Sequence, residues 1–123
     1  MYCVFVREPA GLRYAHWLVE GLKTVETRSR DMLRQLVGQR VAIAWTRSGR
    51  PPLVVGYVTI TEKTFCPPAD FGKFYPLHLV PAGSGYDTGS KGKYFYHVSD
   101  PVACEPFPLP ADAIRHGRSW CEF

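Results

Sequence analysis

Residues 39–65 read "QRVAIAWTRSGRPPLVVGYVTITEKTF". Val41 to Trp45 run without a polar break, the pattern of a buried strand over 39–47. "SGRPP" (48–52) is turn chemistry. "LVVGYVTITEKTF" (53–65) is dense in Val, Ile and Thr and carries the strongest β signal of the chain. Two such runs around a short turn pair as an antiparallel hairpin. Gly56, inside the second run, marks a bulge or a sharp bend of the kind found at a barrel corner.

Working outward from this hairpin, "YCVFV" (2–6) is a short aromatic and β-branched strand closed by "REP". Pro9 suits the first turn of a helix, where a missing N–H costs nothing. Leu12, Ala15, Leu18, Val19 and Leu22 then recur at spacings of three and four, so a helix is expected from Ala10 to a glycine cap at Gly21. "KTVETRSR" (23–30) turns extended, with Thr24, Glu26, Arg28 and Arg30 on one face and Val25 and Thr27 on the other. "RDMLRQLVG" (30–38) predicts one or two helical turns ending at Gly38.

Downstream, four prolines between 67 and 81 restrict "CPPADFGKFYPLHLVPAG" to a short helix or ordered loop that carries Phe71, Phe74 and Tyr75 onto the core. "GSGYDTGSKGK" (83–93) reads as an exposed loop. "YFYHVSD" (94–100) and "PVACEPFPLP" (101–110) read as two strands, the second at an edge because of its prolines. The last residues predict a turn of helix and an extended tail. The sum is a single α+β domain over residues 1–123, with five to six mostly antiparallel strands and one or two helices. A small closed or nearly closed β-barrel is the economical arrangement, because closure removes sheet edges.

Composition narrows the function classes. Hydrophobic residues at 46% and aromatics at 14% are globular values that exclude a disordered chain. No apolar run approaches the roughly eighteen residues of a membrane helix. The start, "MYCVFVREPAG", has no basic segment, and its apolar run ends at Arg7 and Glu8, unlike a signal peptide. A cytoplasmic protein without membrane partners is expected. Cys3, Cys66, Cys104 and Cys121 form no Cys-x-x-Cys pair and have no His-x-x-x-His beside them. They read as reduced, mostly buried thiols rather than metal ligands, and nothing in the sequence calls for a cofactor. The net charge of +4 is uneven: residues 1–50 hold nine Lys/Arg against four Asp/Glu, and residues 51–123 hold six against seven. A basic N-terminal half suits an anionic partner.

That half contains "GLKTVETR" (21–28), in which Gly21, Lys23, Glu26 and Arg28 follow a helix and open an extended segment. The string resembles the G-x-K-x-x-E-x-R signature of the ASCH domain, a family of PUA-like β-barrels. "GLKTVETRSRDML" (21–33) is most similar to its small single-domain, EOLA-like branch, and "HGRSW" (116–120) resembles that branch's ending. The resemblance implies a PUA-like barrel with RNA or a nucleotide in a cleft beside it. It implies ligand contacts from Lys23, Glu26 and Arg28, to which Arg30 adds a further cation on the same expected face. Arg28 offers a planar fork of donors for a phosphate or base edge, Lys23 a mobile point charge, and Glu26 an acceptor that also holds the cations. Trp45, at the end of its strand, reads either as a core or rim residue or, at the mouth of a barrel, as a platform for stacking on a base. Lys91 and Lys93 offer a flap against phosphate.

Some relatives in that family are amidohydrolases of N4-acylated cytidine and use the motif lysine, a threonine three residues on and a distant glutamate. Here the lysine is Lys23, the threonine's place is taken by Glu26, and Glu62 is a candidate for the distant carboxylate. A hydrolase acting on a modified nucleoside, or a ribonuclease, with Lys23 and Glu26 as an acid–base pair is therefore a second expectation. A protein-interaction domain whose motif only stiffens the helix–strand corner is the third. A monomer or weak homodimer is expected in each case. Trp17 and the dispersed His16, His78, His97 and His116 read as structural.

Overall fold

The computed structural model describes residues 1–123. Seven strands form one sheet: β1 (Tyr2–Arg7), β2 (Val25–Arg28), β3 (Arg40–Arg47), β4 (Arg50–Cys66), β5 (Lys93–Pro108), β6 (Ile114–His116) and β7 (Trp120–Glu122). Two helices, α1 (Tyr14–Glu20) and α2 (Tyr75–His78), complete an α+β fold. The strand order is β2-β5-β4-β3-β1-β7-β6, and all neighbours are antiparallel except β1 and β3.

The hairpin of residues 39–65 is the middle of this sheet. Val41 lies opposite Val58 and Ile43 opposite Gly56, after which the register shifts. Gly56 does what a bulge glycine does: a Cβ there would fall 2.2 Å from the Val102 carbonyl oxygen and 2.8 Å from Val19. Only a residue without a side chain lets α1 pack onto the bend of β4. The register shifts on both sides of Gly56 curl the two long strands β4 and β5 around a core that includes Val4, Leu18, Val25, Leu36, Val41, Val58, Ile60, Phe95 and Tyr96.

The expected barrel is correct in class but not closed, and it has one strand more than the five to six expected. β1 pairs with β7 only at Tyr2, Cys3 and Val4, so its outer edge at Phe5–Arg7 has no strand beside it. β2, at the other end of the sheet, pairs only with β5. Between these two free edges a side chain replaces the missing ladder: Arg28 Nη2 donates to the Phe5 carbonyl at 2.7 Å.

Four local expectations change. The helix begins at Tyr14 rather than Ala10, because Gly11 takes a φ of 78° and Leu12 N–H donates to Pro9 in a turn. Its end at Gly21 is as expected, with φ 83° and N–H bonds to Leu18 and Trp17 carbonyls. Residues 93–108 form one continuous strand, bent at Asp100, where two were expected. The C-terminal turn of helix is instead the β6–β7 hairpin, with Gly117 at φ 66° in its turn. In the proline-rich segment Phe71 is buried, but Phe74 and Tyr75 are 40% and 46% exposed. No helix is long and apolar enough to cross a membrane.

Candidate functional site

The unpaired seam between β1 and β2 opens into a cavity of about 400 Å³. Phe5, Val6 and Arg7 come from β1, Glu26 to Ser29 from β2 and its exit, Tyr14 from α1 and Thr46 from β3. Tyr86 and Lys93 enter from the glycine-rich loop and the start of β5, and Arg115 and Arg118 from the C-terminal hairpin. Five basic residues (Arg7, Arg28, Lys93, Arg115, Arg118) and one acidic residue (Glu26) thus border the same space.

Glu26 is the centre of the inner wall. Its Oε2 accepts from Arg28 Nη2 at 2.9 Å, and its Oε1 lies 3.8 Å from Lys23 Nζ. Arg28 divides one nitrogen between Glu26 and the Phe5 carbonyl, and Nη1 reaches Met32 Sδ at 3.8 Å. The guanidinium is fixed by protein groups on both edges of the seam. The segment after β2 is tied down as well: Tyr96 O–H donates to Asp31 at 2.7 Å, Leu33 N–H donates to Tyr96, and Lys63 pairs with Asp31 at 2.6 Å.

Lys23 is not the mobile charge expected of it. Only 1% of it is exposed, and it is absent from the cavity lining. Its ammonium donates to the His78 carbonyl and sits 4.7 Å over the Tyr14 ring. Burial pushes its pKa down to about 8, with Glu26 opposing the shift and Arg28 adding to it. The physical reason is the bend after Gly21. It turns residue 23 inward under α2, where Thr24 N–H donates to the Leu77 carbonyl.

His78, whose backbone receives Lys23, is itself fully buried. Val80 N–H donates to Nδ1 at 2.9 Å, so Nε2 carries the proton toward the Phe71 carbonyl at 2.8 Å. Its ring stacks on Phe71 at 4.0 Å. Burial holds its pKa below the ordinary value, with the Phe71 carbonyl opposing.

The structure brings Glu26 and Arg28 into the cleft, places Lys23 directly behind them, and leaves three candidates outside. Arg30 is exposed beyond the lining. Trp45 is half-buried, with its ring 5.1 Å from His16 and 5.2 Å from the Arg47 guanidinium, and also lies outside. Glu62 is exposed on β4 opposite His97 and does not reach the cavity. Lys93 is 6% exposed, donates to Ser29 at 3.1 Å, and has its pKa lowered by burial. It is a built part of the wall rather than a loop flap.

Sequence reasoning did not single out Tyr14, Thr46, Arg7, Arg115 or Arg118. Tyr14 precedes Leu18 by one helical turn and is indistinguishable in sequence from a core residue. Yet its hydroxyl is buried without a hydrogen-bond partner, as is that of Thr46, and both residues line the cavity. Burial, and then the charge of Glu26, raise the Tyr14 pKa to about 12. The hairpin arginines carry no local signal beyond the "HGRSW" string, because only the sheet order brings residues 115 and 118 beside β1. No group of three His, Cys, Asp or Glu side chains is placed to hold a metal.

The site is thus a cationic cleft at the open seam of an α+β sheet curled around one core. A crystal structure of ASCH from Zymomonas mobilis superposes with a TM-score of 0.69 at 19% identity, covering 87% of this chain and 73% of that one. Two further structures of the same protein, a serine-to-alanine and a tyrosine-to-phenylalanine variant, give TM-scores of 0.68 at 20% and 19% identity. They cover 87% of this chain and 74% and 76% of theirs. The chain has the fold of these ASCH structures. No family model matches the sequence, and no curated protein matches it.

Proposed function

We propose that the cleft between β1 and β2 binds a nucleotide, free or as a residue of single-stranded RNA. The observation that carries this reading is the fixed guanidinium of Arg28, held by Glu26 and the Phe5 carbonyl at the edge of a cavity with four other cations around it. A donor positioned before the ligand arrives loses little freedom on binding. Arg7, Arg115 and Arg118 are exposed at the rim, where cations attract an anion without a large desolvation cost. The volume falls within the range of about 300–1,000 Å³ typical of small-molecule sites. The ASCH-type fold and the Gly21-x-Lys23-x-x-Glu26-x-Arg28 pattern point the same way.

The test is titration of the folded chain with the four nucleoside 5′-monophosphates and with a short labelled single-stranded RNA, at about 50 mM and about 200 mM KCl. Binding is expected, with affinity falling as salt rises by about 0.7 log units per log unit of salt for each phosphate neutralised on a single strand. A folded protein that binds none of these at the lower salt overturns the reading.

A further inference from the structure

The cations surround the cleft, but its inner wall presents a carboxylate and orphaned hydroxyls. Resting on the nucleotide reading above, we propose that the cleft selects guanine, with Glu26 and Tyr14 reading its Watson–Crick edge.

Glu26 is an acceptor with capacity to spare. A carboxylate offers about four lone-pair positions. Arg28 takes one at 2.9 Å, and Lys23, 3.8 Å away, gives its hydrogen bond to the His78 carbonyl instead. The remaining positions belong to a side chain that borders the cavity and is only 11% exposed. What enters must bring donors to it, because an acceptor placed against a carboxylate is repelled. Tyr14 supplies the complementary group. Only 4% of this residue is exposed, its hydroxyl has no partner, and it lines the same space. A buried hydroxyl left unpaired is costly, and a ligand acceptor would satisfy it.

Each base meets a carboxylate differently. Guanine offers N1–H and N2–H side by side, so both carboxylate oxygens receive donors, with O6 adjacent for a hydroxyl donor. Adenine and cytosine each offer one exocyclic amine beside a ring-nitrogen lone pair. Uracil offers N3–H flanked by two carbonyl oxygens. Whereas adenine and cytosine bring one donor and one acceptor, guanine alone brings two adjacent donors to the carboxylate together with an acceptor for the phenolic hydroxyl. Its phosphate then falls to the rim cations, among which Arg115 and Arg118 are exposed to solvent.

The experiment is calorimetric titration of the full chain with GMP, AMP, CMP, UMP, IMP and XMP. GMP should bind at least about tenfold more tightly than AMP, CMP or UMP, the scale of one bidentate base contact. IMP, which lacks the 2-amine, should lose most of that advantage. XMP, which turns its C2 oxygen toward the carboxylate, should bind weakly. In Glu26→Gln the amide accepts from N1–H and donates to the C2 oxygen, so the preference should move from GMP to XMP. Tyr14→Phe should weaken GMP. Should Glu26→Gln not fold, the IMP and XMP titrations of the unaltered protein decide. A single guanosine placed in an oligouridine should strengthen RNA binding whether free nucleotide or RNA is the natural source, and tighter binding of that RNA than of GMP marks RNA as the source. Equal affinities for all six nucleotides overturn the guanine proposal and leave nucleotide binding standing. Absence of any binding removes both.

Discussion

Arg28 and Arg118 border the same cleft, yet they are built in opposite ways. Arg28 comes from an edge strand and is locked between Glu26 and the Phe5 carbonyl, with 16% of its side chain exposed. Lys23 behind it is more buried still. Arg118 comes from the turn between two three-residue strands and is exposed. Arg28 holds the open seam of the sheet together as well as lining the cleft. At the rim, Arg115 lies over the Phe5 ring at 4.8 Å, and both Arg115 and Arg118 are exposed on the border of the cleft. A cation's contribution to binding can therefore be separated from its contribution to folding at the rim, but not at the wall.

The strongest way to break this contrast is Glu26→Ala. It leaves the Arg28 and Lys23 charges without their carboxylate, and breaking a buried pair typically costs about 3–5 kcal/mol. Urea unfolding should show a loss on the order of 3 kcal/mol together with lost binding. A stability change within error would mean the wall is not structural. Gly56→Ala should follow, at about 1–3 kcal/mol for overpacking against a backbone carbonyl that cannot yield. Its denaturation midpoint tests whether the bend of β4 under α1 depends on a missing side chain.

Lys23 gives a pH test of the wall. Its folded pKa of about 8 lies below the ordinary lysine value, so between the two the unfolded chain binds more protons and stability rises with pH. Below about pH 8 the ammonium is protonated in both states and carries its full burial cost. In Lys23→Met this rise should be missing, a difference on the order of 2–3 kcal/mol between the two proteins across roughly pH 8 to 10.5. Parallel unfolding curves at all pH values would place the lysine in a wetter setting than the structure gives it.

The smallest effect on folding belongs to the rim. Arg115→Ala with Arg118→Ala should leave stability unchanged within about 0.5 kcal/mol per substitution. The double variant should bind RNA more weakly, and its salt dependence should flatten by about 0.7 for each phosphate that is no longer neutralised. An unchanged salt slope in a folded variant would remove the hairpin from the binding surface.

Much of the fold was legible because it follows from local chemistry. The β3–β4 hairpin shows in unbroken runs of β-formers, the bulge in Gly56, and the helix end in Gly21, whose left-handed φ other residues adopt only at a cost. The adjacency of Glu26 and Arg28 is equally local, since alternate residues of a strand share a face. The helix start was less legible, because a positive-φ turn at Gly11 overrode a good helical period. The fused strand of residues 93–108 was misread because Pro101 resembles a break, and only its pairing with β4 keeps the chain extended through it.

By itself the sequence determined the strands β1 to β4, their alternation, the basic bias of the first half and the motif's charged pair, since each depends on neighbours a few residues apart. Tertiary structure alone decided that the barrel stays open between Phe5 and Arg28, that Lys23 is buried beneath His78, and that Tyr14, Lys93, Arg115 and Arg118 meet Glu26 around one cavity. These depend on the order in which seven strands lie side by side. That order is set by how the whole set of apolar faces closes over one core, a global condition that no short stretch of residues contains.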